Sequence, residues 1–381
     1  MYDAVIVGAR CAGSPLAMLL ARRGHQVLLL DRASFPSDTY STHFIQADGM
    51  ARLSRWGLLD RLMATGIPPI TQGRLDIDGQ VVGTDFELPP SIPGLTSPRR
   101  TVLDKILVDA AVEGGAELRE GAMVDGVIFE DGRVVGVQGH SPDGPFEERA
   151  RIVIGADGRN SVIARSVDAP YLEHTDSLGS GYYSYWSGVE CTAAEMFLYE
   201  EQFTVAFPTH DGLTTIAMAV RSENFLEERK HADEHVTKML DRLGDFGDRA
   251  RKGERAHELI AIAALPNFLR APWGPGWALA GDAAYHKDPA PAEGISDAYR
   301  SADLLADALH DMFTGDAAEE DALQGYGSRL EAAARPLLEK TLVMASFDED
   351  AMTRATALLE VTGMHHQAAL GVLSNGQPAV A

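Results

Sequence analysis

The sequence predicts an α/β protein. A parallel-sheet domain of Rossmann-like type is interrupted by an inserted antiparallel sheet and closed by C-terminal helices. Three observations carry this. A strand–turn–helix–strand unit fills Asp3 to Arg32. Two later buried strands, Ile152 to Ile154 and Trp277 to Ala280, run into glycine and aspartate as the first unit does. Between them, Asp168 to Arg270 changes to aromatic-rich strands of period two.

In the first unit, Ala4 to Val7 is apolar on both faces, as a central parallel strand should be. Gly8 opens a turn. Gly13, Ser14 and Pro15 open a helix, with Pro15 early enough that its missing N–H is harmless. Leu16, Leu19 and Leu20 fall at helical spacing, Arg22 and Arg23 face the negative end of the dipole, and Gly24 stops the helix. Val27 to Leu30 forms the second strand and ends on Asp31, 23 positions after Gly8. This is the layout of a dinucleotide site: glycine permits the turn, the helix N-terminus holds a pyrophosphate, and the distal acid accepts ribose hydroxyls. Gly8, Ala12, Gly13, Ser14, Asp31 and Arg32 are the candidate contacts. The motif reads G-x-R-x-x-G, so Arg10 is either a solvated turn arginine or a cation beside the phosphates.

A length of 381 residues suits two domains or one elaborated fold, and 45% hydrophobic residues suffice for large cores. The net charge of −23 opposes nucleic acid and anionic membranes as partners. It also opposes a phosphorylated cofactor, so arginines near the site should matter locally. Cys11 and Cys191 form neither C-x-x-C nor a metal-ligand cluster, which fits a reducing cytosol. Cys11 is read as structural. With no basic leader and no apolar run near the ~18 residues that span a bilayer, a cytoplasmic protein without stable membrane insertion is expected, as monomer or homodimer. A small-residue tail follows Ser374.

The loop Ser34 to Phe44 carries Ser41, Thr42 and His43 just before a helix with Met50, Leu53 and Trp56 on one face and Gly57 near its end. His43 is either a capping or solvated loop histidine or a group beside the cofactor. Gly73 to Ile77 and Gln80 to Leu88 read as strands joined at Asp78–Gly79, and Pro89, Pro90 and Pro93 mark the exit. Thr101 to Val112 reads as a helix with a Thr101–Asp104 capping box, a stripe of Leu103, Ile106, Leu107 and Ala110, and Gly114 at its end. Val124 to Val137 is a hairpin turning at Asp131–Gly132. Ile152 to Ile154 runs into Gly155, Asp157 and Gly158, with Ser161 or Asn160 capping the next helix. In the insertion, Phe203 to Phe207 and Leu213 to Val220 pair across Asp211–Gly212, and one charged helix spans His231 to Leu243. Tyr182, Tyr183, Tyr185 and Trp186 alternate on a strand, so Tyr183 and Tyr185 share a face. Gly281–Asp282 ends the last strand, and a proline-rich loop leads to a long helix from Gly294. Helices over Leu323 to about Leu342 and near Asp350 to Leu359 follow.

The three glycine–aspartate elements, Gly8 to Asp31, Gly155-Ala156-Asp157-Gly158 and Gly281-Asp282, resemble in this order the FAD-binding domain of the para-hydroxybenzoate-hydroxylase-like flavoproteins, the class A flavin monooxygenases. The resemblance covers most of residues 1–165 and 270–345. It implies an FAD domain of glutathione-reductase type, FAD as cofactor, and NAD(P)H as transient reductant. It implies that Asp157 and Gly158 lie near the FAD pyrophosphate, that Asp282 after Gly281 binds the ribityl chain, and that Arg100 contacts the diphosphate region, with Val124 in the same site. Pro289, Gly294, Ile295 and Ser296 would lie along the flavin ring. The amides of Gly294 to Ser296, unpaired donors at a helix's positive end, would stabilise the negative charge of a reduced ring. The expected organisation is an FAD domain of residues 1–70, 97–165 and 270–345, a substrate domain of 71–96 and 166–269, and a helical tail of 346–381.

The chain departs from the family pattern at Tyr285, where histidine is frequent, and at Asp288, Pro291 and Ser296, where proline, glycine and asparagine are usual. Arg10 also occurs in the geranylgeranyl-reductase-like group. Four functions follow. The first is an NAD(P)H-dependent monooxygenase using molecular oxygen, whose flavin hydroperoxide hydroxylates an aromatic or conjugated small molecule. The second is an FAD-dependent reductase of a carbon–carbon double bond in an apolar substrate. The third is a flavin halogenase, a group marked by W-x-W-x-I-P, whereas Trp186 here precedes Ser187 and Gly188. The fourth is a non-catalytic FAD-binding protein. His43, Tyr183 and Tyr185 are the candidate catalytic residues, meeting across the cleft.

Overall fold

In the computed structural model, which describes residues 1–263 and 265–374, strand Tyr2–Val7 is the centre of the first sheet. Val27–Leu30 and Gly144–Gly155 flank it in parallel, and Val7 stands opposite both Leu30 and Gly155. Trp277–Leu279 and Glu117–Arg119 extend the parallel ladder on the two sides. The central strand is apolar on both faces because both are covered: Ala4, Val5 and Ile6 have no exposure. Since Leu279 pairs with Gly155 and Gly155 with Val7, three strands end level. All three glycine–aspartate loops therefore leave the same edge, where ligands of open α/β sheets bind.

Gly144–Gly155 serves two ladders: its first half pairs antiparallel with Arg133–Ser141, its second half parallel with Tyr2–Val7. The turns expected at Asp78–Gly79 and Asp131–Gly132 have positive φ at both residues, as two-residue hairpins require. Asp211–Gly212 shares that geometry.

The second sheet joins Gln72–Ile77 and Gln80–Asp85 to Gly179–Ser187, Ala194–Tyr199, Gln202–Pro208 and Thr214–Arg221. It is antiparallel except where Ala194–Tyr199 runs parallel to Gln72–Ile77, because the chain enters this sheet in two separate passes. The single helix expected over His231 to Leu243 is one of three, Ser222–Glu228, Ala232–Asp241 and Gly244–Lys252. Gly244 at φ 53 separates the last two.

The helix Arg100–Glu113 has no side-chain cap, so the Thr101–Asp104 capping box does not form. Asp104 is drawn away by two arginines, as described below. Ser161, not Asn160, caps Val162–Ser166 by accepting from the Ala164 amide. The C-terminal helices are longer than expected, Glu319–Ala345 and Ala351–Ser374, and the second packs on both Ala47–Arg55 and Glu319–Ala345. The tail after Ser374 lies outside the described residues. Among those residues, no helix is long and apolar enough to cross a membrane.

Candidate functional site

A cavity of about 1060 Å³ opens at the common edge of the three strands. Its shape follows from close backbone approaches. A Cβ on Gly8 would fall 2.3 Å from the Ala156 carbonyl oxygen, and one on Gly13 would fall 1.8 Å from that of Gly8. Gly281, at φ 59, leaves only 2.8 Å between its missing Cβ and that of Ala12. Only glycine lets these loops nest.

Of the sequence-predicted cofactor residues, Gly8, Arg10, Ala12, Asp31, Arg32, Arg100 and Val124 line the cavity. So do Asp157, Gly158, Gly281, Asp282, Pro289, Gly294 and Ile295. Gly13, Ser14 and Ser296 do not. Gly13 is spent on the backbone contact, and the Ser296 hydroxyl accepts from the Gln46 amide at 3.1 Å. Ser14 is fully buried at the start of helix Gly13–Arg22, and its hydroxyl has no hydrogen-bond partner among the described residues.

Asp31 is fixed by the Ala9 and Ala33 amides at 2.7 and 2.8 Å. Arg10 is not a freely solvated turn arginine. It donates to Asp104 at 2.6 Å and to Ser37, while Arg100 donates to the same carboxylate at 3.0 and 3.1 Å. Asp104 is fully buried, so it ties the turn to helix Arg100–Glu113 and sets both cations on the wall. Cys11 also points at Asp104, and burial pushes its thiol pKa up, in keeping with a structural role. Asp157 accepts the Val162 amide at 2.6 Å through one oxygen, and its other oxygen is buried with no partner among the described residues. Burial raises its pKa against those hydrogen bonds.

These residues fit FAD. The helix N-terminus beside Arg10 and Arg100 suits a pyrophosphate, and acidic groups, the unpartnered oxygen of Asp157 among them, suit hydroxyl-bearing chains. Gly294 meets nothing within 4 Å of where a Cβ would stand, which leaves a flat face for a ring.

His43, Tyr183 and Tyr185 come together but do not line this cavity. They sit one layer behind Tyr40, which does; its ring lies 5.1 Å from that of Tyr183. His43 is neither solvated nor a cap: it has no exposure, and its Nε2 lies 2.6 Å from the Tyr185 hydroxyl. Its φ of 65° is a strained conformation for a buried side chain, and its Nδ1 has no partner among the described residues. Burial, then the charges of Arg100 and Arg99, lowers its pKa to about 3, so the ring is neutral. Arg99 lies over the Tyr185 ring at 4.7 Å. The alternation on Gly179–Ser187 holds: Tyr183 and Tyr185 face this cluster, while Tyr182 packs on Phe225. Both faces are buried.

Sequence reasoning missed Tyr40, Arg159 and Lys287, all on the wall. Tyr40 and Arg159 adjoin motifs that were recognised; Lys287 carried no signal because no local pattern records that this loop lysine is buried beside Glu293 and Asp297.

The chain matches a protein family described as FAD binding domain over residues 1–341. It is 29% identical over 356 residues to digeranylgeranylglycerophospholipid reductase 2 of Methanopyrus kandleri, covering 87% of this chain and 82% of that protein. It is 24% identical over 325 residues to a 1H-pyrrole-2-carbonyl-[peptidyl-carrier protein] brominase of Pseudoalteromonas luteoviolacea, covering 82% and 78%. Among solved structures, the probable FAD-dependent monooxygenase PqsL of Pseudomonas aeruginosa superposes with a TM-score of 0.81 at 20% identity, over 93% of this chain and 99% of that one. The myxobacterial chondrochloren halogenase superposes at 0.80 and 20% identity, over 97% of each chain. The chain therefore belongs to the FAD-binding-domain family of para-hydroxybenzoate-hydroxylase-like flavoproteins and is an FAD-dependent enzyme.

Proposed function

We propose that this enzyme is an NAD(P)H-dependent monooxygenase that hydroxylates an aromatic or conjugated small molecule. The observation that carries the reading is the neutral His43–Tyr185 pair, buried among aromatic rings directly behind the cavity wall. FAD, when bound and reduced, supplies the electrons and the oxygen chemistry. The chain's own groups hold the substrate and handle one proton. Burial raises the Tyr185 pKa, so the phenol stays protonated at neutral pH. If it donates to His43 Nε2, the ring's hydrogen sits on Nδ1, which has no partner among the described residues. A substrate phenol or enol entering past Tyr40 would then accept a hydrogen bond from Nδ1–H and be oriented by it. With the ring's hydrogen on Nε2 instead, donated to the Tyr185 oxygen, Nδ1 is the acceptor that takes the substrate's proton, and its loss enriches the substrate ring for attack by an electrophilic oxygen.

A second reading is an FAD-dependent reductase of a carbon–carbon double bond. It is supported by the 29% identity to a protein named digeranylgeranylglycerophospholipid reductase, and the same pair would serve as proton donor. NAD(P)H oxidation, followed with and without oxygen across phenols and polyketide-like aromatics, separates the two. The expected result is substrate-stimulated oxidation in air with a product one oxygen atom heavier. A saturated product formed without oxygen selects the reductase, and a halide-dependent product selects the halogenase chemistry of the neighbours. His43→Ala, Tyr183→Phe and Tyr185→Phe should keep FAD bound, and at least one should lower turnover by roughly 10²-fold or more. Full turnover in all three would displace the pocket from this wall.

A further inference from the structure

Glu293 immediately precedes the helix Gly294–Thr314, and its carboxylate has no exposure. Three elements converge on it. Lys287 reaches it from the same loop, the Thr341 hydroxyl donates from helix Glu319–Ala345 at 3.4 Å, and His365 Nε2 meets it from the C-terminal helix Ala351–Ser374. The other ring nitrogen, His365 Nδ1, lies 2.7 Å from Asp48 on helix Ala47–Arg55. Each ring nitrogen thus faces a carboxylate, and both can donate only if the imidazole is a cation. Around it stand Arg52 beside Asp48, then Arg300 shared between Asp48 and Asp297 at 2.8 and 2.7 Å, then Lys287 at 3.0 Å from Asp297. Lys287, Glu293 and Asp297 line the cavity. A buried ionic chain therefore runs from the C-terminal helix to the loop that would face the flavin.

That loop needs holding. Ala292, next to Glu293, sits at φ 53, which a non-glycine residue keeps only when its surroundings fix it. The family match ends at residue 341, so the clamp comes from a segment beyond it.

We infer that His365 is a positioning residue for the cofactor: its imidazolium binds Glu293 to Asp48, fixes the Gly294–Ser296 amides against the flavin ring, and so makes the C-terminal helix part of the FAD site. This rests on the placement of the ring along Gly294–Ser296.

The test uses the full chain with His365→Gln, Glu293→Gln and Gly294→Val, reading FAD affinity and the reduction potential of bound flavin. His365→Gln should raise the FAD Kd roughly five- to tenfold, the scale of a coupled site, and lower the potential, because a cation is removed. Glu293→Gln should raise the potential, because an anion is removed. Loosened packing alone would not produce opposite signs. Gly294→Val should weaken FAD binding through the ring itself. If Gly294→Val weakens binding while His365→Gln changes neither affinity nor potential, the positioning role is wrong and the ring placement stands. If Gly294→Val is silent, the ring lies elsewhere and the inference falls with it. Should the His365 variant not fold, wild-type protein decides. Its FAD affinity should fall as pH rises through about 9, where His365 loses its proton. An affinity that stays flat from about pH 7 to about pH 10 overturns the role.

Discussion

His365 also makes stability depend on pH, whether or not cofactor is bound. Burial disfavours its charged form, but the carboxylates of Asp48 and Glu293 outweigh burial and raise its pKa to about 9. The folded value lies above the unfolded value of about 6.5, so the stabilisation is fully present below about pH 6.5 and is lost as pH rises through the folded value. The Tm of the apoprotein should therefore fall across that window, and His365→Gln should abolish most of the fall. A wild-type Tm that stays level there would mean the histidine is neutral in the fold. Asp282 poses a different question at the same scale, because it lines the cavity without belonging to the ionic chain. Replacing it with alanine should weaken FAD binding by about 1–3 kcal/mol, the cost of leaving buried hydroxyls unpaired, while apoprotein Tm barely moves. Equilibrium titration with FAD measures the first and a thermal scan the second.

At the scale of elements, the fold depends on ties between segments far apart in sequence. Asp104 joins helix Arg100–Glu113 to the first turn through Arg10 and Arg100. Asp104→Ala would strand the buried guanidinium of Arg100, and such breaks cost about 3–5 kcal/mol. Urea unfolding should register that loss, and FAD affinity should drop because Arg10 and Arg100 no longer stand on the wall. A loss under about 1 kcal/mol would mean Arg100 finds another partner. This same tie explains what could be read in advance. The strand–turn–helix–strand unit was legible because its signals are local: an apolar run, turn glycines and an acid at fixed spacing. Asp104 was read as a cap for the same reason, three residues after Thr101, whereas two arginines compete for it and win. The hairpins at Asp78–Gly79 and Asp131–Gly132 were legible from their turn residues. The parallel pairing of Gln72–Ile77 with Ala194–Tyr199 was not, since no local pattern records which strand lies beside which. Lys287, Glu293 and His365 each look like surface residues in sequence, and only the packing of the C-terminal helix makes them one group.

For the whole molecule, the dominant long-range fact is a net charge of −23. FAD brings a pyrophosphate, so its approach to the apoprotein runs against the protein's own field. The cavity does little to reverse this. Its wall carries Arg10, Arg32, Arg100, Arg159, Arg165 and Lys287 against Asp31, Asp38, Asp125, Asp157, Asp282, Asp288, Glu293 and Asp297. Six bases face eight acids, so the global charge is left unopposed. Repulsion of this kind is screened once the Debye length falls from about 30 Å at 0.01 M salt to about 10 Å at 0.1 M. The association rate of FAD with apoprotein should therefore rise with ionic strength over that range, roughly threefold or more. The dissociation rate, governed by short-range contacts inside the site, should change much less. Stopped-flow quenching of FAD fluorescence gives both. A rate that falls with added salt would show that the arginines at the mouth outweigh the rest of the surface, and Arg159→Ala and Arg165→Ala would then remove that dependence.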